Sequence, residues 1–148
     1  MRINPNHISI ASLAFAMLAG LFFTLEPEHF LLLAAVMVGM NGLLDALDGK
    51  VARLVAKESK RGDFVDHVID RYADAFILVG VALGSYCPVS VGLFAVVGVM
   101  LASYMGTQAQ ALGLRREYRG ILGRADRLAL LIVIPLIQYA LSYWGTDY

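Results

Sequence analysis

Residues 75–114 read AFILVGVALGSYCPVSVGLFAVVGVMLASYMGTQAQALGL, forty consecutive positions without an Asp, Glu, Lys or Arg. A soluble core has no use for an uncharged run of that length, whereas a helix crossing a bilayer needs about 20 apolar residues. Tyr86-Cys87-Pro88 interrupts the run, because proline disfavours helical backbone in the residue before it. The stretch therefore predicts two membrane helices joined by a short turn. Working outward, charge-free runs also cover Ile3 to Leu25, His29 to Leu44 and Leu128 to Thr146, of 23, 16 and 19 residues.

Together these predict five spans: about Ile8 to Leu25, Phe30 past Leu44, Gly62 to Ser85, Val89 to Leu112 and Ile121 to Tyr143. Glu26-Pro27-Glu28 stops the first, and Tyr143 and Trp144 sit as interfacial aromatics at the end of the last. The expected fold is all-α, a polytopic transmembrane helical bundle forming a single domain over residues 1–148. Charged residues make up 16 % of the 148 positions and apolar residues 59 %, against about 25 % charged in soluble domains. A soluble enzyme, a nucleic-acid binder and a disordered tail are excluded, and no nucleic acid is expected as a partner. The lone Cys87 forms no internal disulfide. The first run is read as a span, since only Arg2 precedes it and it exceeds an ordinary signal-peptide core.

The basic residues fix an expected orientation. Arg2 precedes span one; Lys50, Arg53, Lys57, Lys60, Arg61 and Arg71 surround the second connection; Arg115, Arg116, Arg119, Arg124 and Arg127 surround the fourth. These are all 12 basic residues, and they share one side, while Glu26, Glu28 and Asp147 lie on the other. By the positive-inside rule the amino terminus and both basic connections are cytoplasmic.

The second connection concentrates acids. On a helix, Asp45, Asp48, Gly49 and Ala52 fall within an arc of about 100°, and Asp63, Asp66, Asp70 and Asp74 form a stripe about 80° wide on the next. Asp45 is 15 residues from Phe30 and Asp70 is 16 from Tyr86, so both lie roughly 22–24 Å from the outer ends of their helices. Two antiparallel neighbours are thus expected to bring four carboxylates to one level, just inside the cytoplasmic boundary. An ionised acid at mid-membrane costs about 2.5–3.5 kcal/mol, so such a cluster is tolerable where it lines a wet cavity and binds something positive. Hard divalent cations take carboxylate oxygens, and Mg2+ shares its sites with substrate phosphates. His67 is expected to point off the acidic stripe. Gly80 and Gly84 form a GxxxG pair, a helix-packing face.

Asp45, Asp48, Gly49, Ala52, Arg53, then eight residues, Gly62, Asp66 and Asp70 resemble the CDP-alcohol phosphotransferase signature D-x2-D-G-x2-A-R-x8-G-x3-D-x3-D, with eight fixed positions matched over 26 residues. Pro5-Asn6-His7-Ile8-Ser9 resembles the entry to that family's first span. The resemblance implies an integral enzyme of the cell membrane, dependent on Mg2+ or Mn2+ and usually a homodimer. Such an enzyme displaces CMP from a CDP-linked lipid by the hydroxyl of a small alcohol. By position, Asp45, Asp48, Asp66 and Asp70 would be metal ligands, and Asp70 also the general base. Gly49, Arg53 and Ser59 would hold the CDP moiety, with Asn6 and Ser9. The family usually has six spans after an amphipathic leader helix, whereas five are visible here. Span four has no basic residue near Ser103 to Gln108 for an acceptor phosphate, but Gly123-Arg124-Ala125-Asp126-Arg127 resembles a following family segment. The resemblance implies that Arg124 and Arg127 meet a phosphorylated acceptor; the alternative is that they only set the topology, and the acceptor's identity stays open. The alternative functions are a divalent-cation transporter, since intramembrane acids mark ion paths, and a catalytically degenerate membrane subunit.

Overall fold

A computed structural model describes residues 5–54, 60–114 and 123–145. It is an all-α membrane helical bundle with, among the described residues, five helices: α1 (Pro5–Phe23), α2 (His29–Leu54), α3 (Lys60–Leu83), α4 (Val89–Ala111) and α5 (Arg124–Tyr143). Among the described residues, three segments are long and apolar enough to cross a membrane: His29–Lys50, Val89–Ala111 and Arg124–Tyr143. His7–Phe23 is a shorter apolar helix, and α3 carries its charges between Lys60 and Asp74, leaving the rest of the helix, to Leu83, uncharged.

Local chemistry sets the ends. Proline at the first position of α1 has the backbone angle a helix start requires and lacks only an N–H that would be unbonded there. At its other end the Thr24 hydroxyl donates to Leu21 O at 2.7 Å, occupying a carbonyl that the helix leaves open. Pro88 immediately precedes α4, and Gly113, at φ 74°, carries the chain out of that helix in a conformation that disfavours larger residues. α5 starts where the Gly123 N–H donates to Asp126 Oδ2 at 3.0 Å, half of a capping box.

α1 is the centre of the bundle. It packs against both α2 and α3, while α5 packs on α2 and α4 on α3. The core is accordingly Ala16, Ala19 and Phe23 of α1, Leu31, Ala34 and Val38 of α2, and Ala73 and Ile77 of α3. Small residues dominate because association inside a membrane rests on close van der Waals approach. A Cβ on Gly80 would collide with the backbone of Gly20, and one on Gly84 with Phe23 O. The GxxxG pair thus serves the α1–α3 crossing within the chain. Gly92 meets Ala82 in the same way where α4 crosses α3.

The expectation that α2 and α3 adjoin is corrected. Among the described residues they have no backbone contact comparable with those either makes to α1. Each packs chiefly on α1, and their acids come together across the remaining gap at Arg124 of α5, one of whose nitrogens reaches both Asp45 and Asp70. Away from the acids, an apolar recess among α1, α2, α3 and α5 is lined by Phe23, Leu31, Val81, Leu131, Ile134 and Gln138. Outward faces of α4 and α5 present Phe94, Leu101, Val133 and Ile137, as surfaces in contact with lipid do.

Candidate active site at the acidic end of the bundle

One end of the bundle gathers the polar side chains. Asp45 and Asp48 occupy the penultimate turns of α2, and Asp66, Asp70 and Asp74 successive turns of α3. Asp48, Asp70 and Asp74 are buried, at 6 %, 8 % and 5 % exposure. Carboxylates are almost never this buried unless paired, so their partners define the site.

Arg124, in the first turn of α5, is the principal one. Its Nη1 lies 2.6 Å from Asp45 Oδ2 and 2.8 Å from Asp70 Oδ1, bridging α2 and α3 across the gap. Its Nε stands 3.7 Å from Asp74 Oδ1. Arg127, one turn on, places Nη2 2.9 Å from Asp74 Oδ2. Arg71 Nη1 lies 3.4 Å from the same oxygen and also donates to Ser103 Oγ of α4. From α1, the Ser9 hydroxyl donates to Asp48 Oδ2.

Four buried polar atoms have no hydrogen-bond partner among the described residues: Asp48 Oδ1, Asp70 Oδ1, Arg124 Nε and Asn41 Oδ1. Asp70 Oδ1 is near Arg124 Nη1, but that contact is an ion pair without hydrogen-bond alignment. An orphaned buried polar group is costly, about 1–3 kcal/mol. Orphaned carboxylate oxygens suit a cation, and the orphaned guanidinium N–H suits an oxyanion. The donor set is oxygen from carboxylates, the chemistry preferred by hard divalent ions. Asp66, His67 and Asp70 each offer one ligand atom within 4.8 Å of the others. His67 thus stands closer to the acids than its place off the stripe suggests, because it is three residues before Asp70 and helical neighbours at that spacing share a face.

The remaining expected site residues are distributed unequally. Gly49 is exposed on α2 beside Asp48, without a side chain to obstruct approach to the acids. Ser9 is buried against Asp48. Asn6 and Arg53 stand on α1 and α2, but their side chains, and all of Ser59, lie outside the described residues. Sequence reasoning did not single out Asn41 or Ser12. Asn41, fully buried one turn before Asp45, donates through Nδ2 to Ser12 O at 2.9 Å and Ser12 Oγ at 2.8 Å. The available signal was an amide four residues before Asp45 in an otherwise apolar run, on the face that carries Asp45 and Asp48.

Fold and site together define a class: a helical membrane enzyme that gathers carboxylates and guanidiniums at one end of its bundle. The model of the CDP-alcohol phosphatidyltransferase family matches residues 2–146, and the chain belongs to that family, whose members transfer substituted phosphate groups. It is 34 % identical over 136 residues to an archaetidylinositol phosphate synthase of Pyrococcus horikoshii, covering 92 % of this chain and 71 % of that protein. A second archaetidylinositol phosphate synthase, from Methanothermobacter thermautotrophicus, is 31 % identical over 79 % of this chain and 60 % of its own length. A bifunctional IPC transferase and DIPP synthase of Archaeoglobus fulgidus is 31 % identical over 95 % of this chain, which spans 29 % of that protein.

Proposed function

We propose that the protein transfers a phosphatidyl- or archaetidyl-type group from a CDP-linked lipid to a small alcohol, releasing CMP, in phospholipid synthesis. The observation that carries this reading is the meeting of motif acids from α2 and α3 with α5 arginines around one gap. The names of the archaeal relatives place inositol and phosphate on the product, which favours a polyol phosphate as acceptor.

In this reading Asp45, Asp48, Asp66 and Asp70 hold Mg2+, and Mn2+ would suit the same oxygens. When bound, that ion supplies neutralisation of the diphosphate charge. Asp70 takes the proton of the acceptor hydroxyl; its orphaned Oδ1 gives it an oxygen for the task. The acceptor oxygen forms a bond to the lipid-bearing phosphorus as the bond from that phosphorus to the CMP oxygen breaks. Gly49, Arg53, Ser59, Asn6 and Ser9 bind the CDP moiety, and Arg124 and Arg127 orient the acceptor phosphate. The lipid's chains stay among the helices while its head enters the acidic end.

The chain is read as one domain with five membrane crossings, working as a homodimer with the acidic end toward the cytoplasm. The clustering of Arg71, Arg124 and Arg127 at the acidic end, away from Glu26 and Glu28, supports that orientation. The test is CMP release by purified protein in detergent with CDP-lipid, Mg2+ and, in turn, glycerol phosphate, inositol phosphate and serine. CMP formation with one acceptor is expected. No CMP with any acceptor, accompanied by metal uptake into liposomes, would replace this reading with a cation transporter.

A further inference from the structure

We infer that Asp74 is a positioning residue that orients the arginines of α5 for a phosphorylated acceptor, an inference that rests on the transferase reading above. Asp74 lies outside the eight-position signature, four residues beyond Asp70 and so about 6 Å deeper along α3. At 5 % exposure it is as buried as any acid of the site. Its surroundings differ from theirs. Arg127 Nη2 at 2.9 Å and Arg71 Nη1 at 3.4 Å share its Oδ2, and Arg124 Nε stands 3.7 Å from its Oδ1. Three guanidiniums from two helices converge on one carboxylate, leaving an excess of positive charge around it.

A guanidinium carries five N–H donors in a rigid planar fork, so fixing one edge sets where the others point. Asp74 fixes one edge of Arg127. Arg71 is anchored in turn on Ser103 of α4, so the hub is tied into three helices. Arg124 spans the distance between the hub and the motif acids, with Nη1 on Asp45 and Asp70 and Nε aimed at Asp74 without a hydrogen bond. That N–H is a donor Arg124 has not spent within the protein, and Arg124 and Arg127, one turn apart on α5, can meet one phosphate monoester together while its alcohol lies toward Asp70. Without the Asp74 charge the three cations repel one another and lose their common orientation.

The test uses the full chain in detergent, with kinetics in CDP-lipid and inositol phosphate and equilibrium dialysis of inositol phosphate alone. Asp74→Asn should raise KM for inositol phosphate about tenfold or more and weaken its direct binding to match, while KM for CDP-lipid changes little. Asp74→Glu should recover most of the loss. In an Arg127→Gln background Asp74→Asn should add little, since the two act as a pair. Should Asp74→Asn fail to fold, Arg127→Lys keeps the charge but not the fork, and should raise the same KM at an unchanged melting temperature. An unaltered acceptor KM, or a lowered melting temperature as the sole effect, would overturn the inference and leave the transferase intact. Turnover with serine and not with inositol phosphate would do the same. Absence of both CMP release and inositol phosphate binding in the unaltered chain would overturn both.

Discussion

Arg124 Nη1 lies 2.6 Å from Asp45 Oδ2, tying the first turn of α5 to α2 across 79 residues of sequence. The same nitrogen reaches Asp70 on α3, so one side chain neutralises acids on two helices that each pack chiefly on α1. A divalent cation on these carboxylates would compete with the guanidinium for the same oxygens, so under the proposed function cation and arginine would be alternative counter-charges.

Replacing Arg124 exposes that relationship. Removing one partner from a fully buried ion pair costs roughly 3–5 kcal/mol, but the Arg124 side chain retains 20 % exposure, so about 1–3 kcal/mol is expected for Arg124→Gln. Melting in detergent should show a lowered midpoint, and added Mg2+ should raise it further in the variant than in the unaltered protein. Equal Mg2+ shifts in both would mean that guanidinium and metal do not share oxygens.

Asp70→Asn removes the proposed proton acceptor while keeping the shape of the side chain. Turnover should fall by about 10²–10⁴, with CDP-lipid binding partly retained. CMP release and CDP-lipid binding measured on one preparation check the two halves separately, and near-normal turnover would refute the role.

Much of this was legible in the chain. The uncharged run from Ala75 to Leu114 predicts α3 and α4 with their turn at Tyr86-Cys87-Pro88, because desolvation leaves lipid-facing backbone only the helical option. Helical periodicity placed Asp45 with Asp48 and Asp66 with Asp70, since neighbours on one helix follow from geometry alone. What periodicity does not encode is which helices touch. The placement of α1 between α2 and α3 depends on backbone contact at Gly20, Gly80 and Gly84, and three glycines in apolar runs do not name their partners. For the same reason the sequence points the arginines to membrane orientation and to an acceptor phosphate, while their pairing with Asp45, Asp70 and Asp74 requires three separate helices to be assembled.

The α1–α3 crossing makes a prediction independent of chemistry. Gly80 meets Gly20 backbone against backbone, so an added side chain has no flexible neighbour to displace. Gly80→Val should destabilise by about 1–3 kcal/mol or more, and because the crossing also sets the gap between α2 and α3, it should reduce turnover as well. Gly98→Val is the control: a Cβ there meets nothing within 4 Å, so melting temperature and CMP release should hardly change. Similar losses in both variants would contradict the assigned crossing.

Asn41 offers the sharpest test of how the acids are supported from below. Its amide nitrogen donates to both the carbonyl and the hydroxyl of Ser12, and the Ser12 hydroxyl lies 3.2 Å from Asn41 O. This fixes α1 against α2 one turn before Asp45, just as Ser9 fixes it at Asp48. In a medium that supplies no water, Asn41→Ala leaves Ser12 O without its side-chain donor and should cost about 1–3 kcal/mol. Asn41→Leu fills the volume but also abandons the pair, so it should not restore stability unless Ser12→Ala is combined with it. The double variant should then recover much of the melting temperature while CMP release stays low, because shape is regained but the polar register between α1 and the acidic turns of α2 is not. Recovery of full turnover in Asn41→Leu/Ser12→Ala would show that the pair serves packing alone.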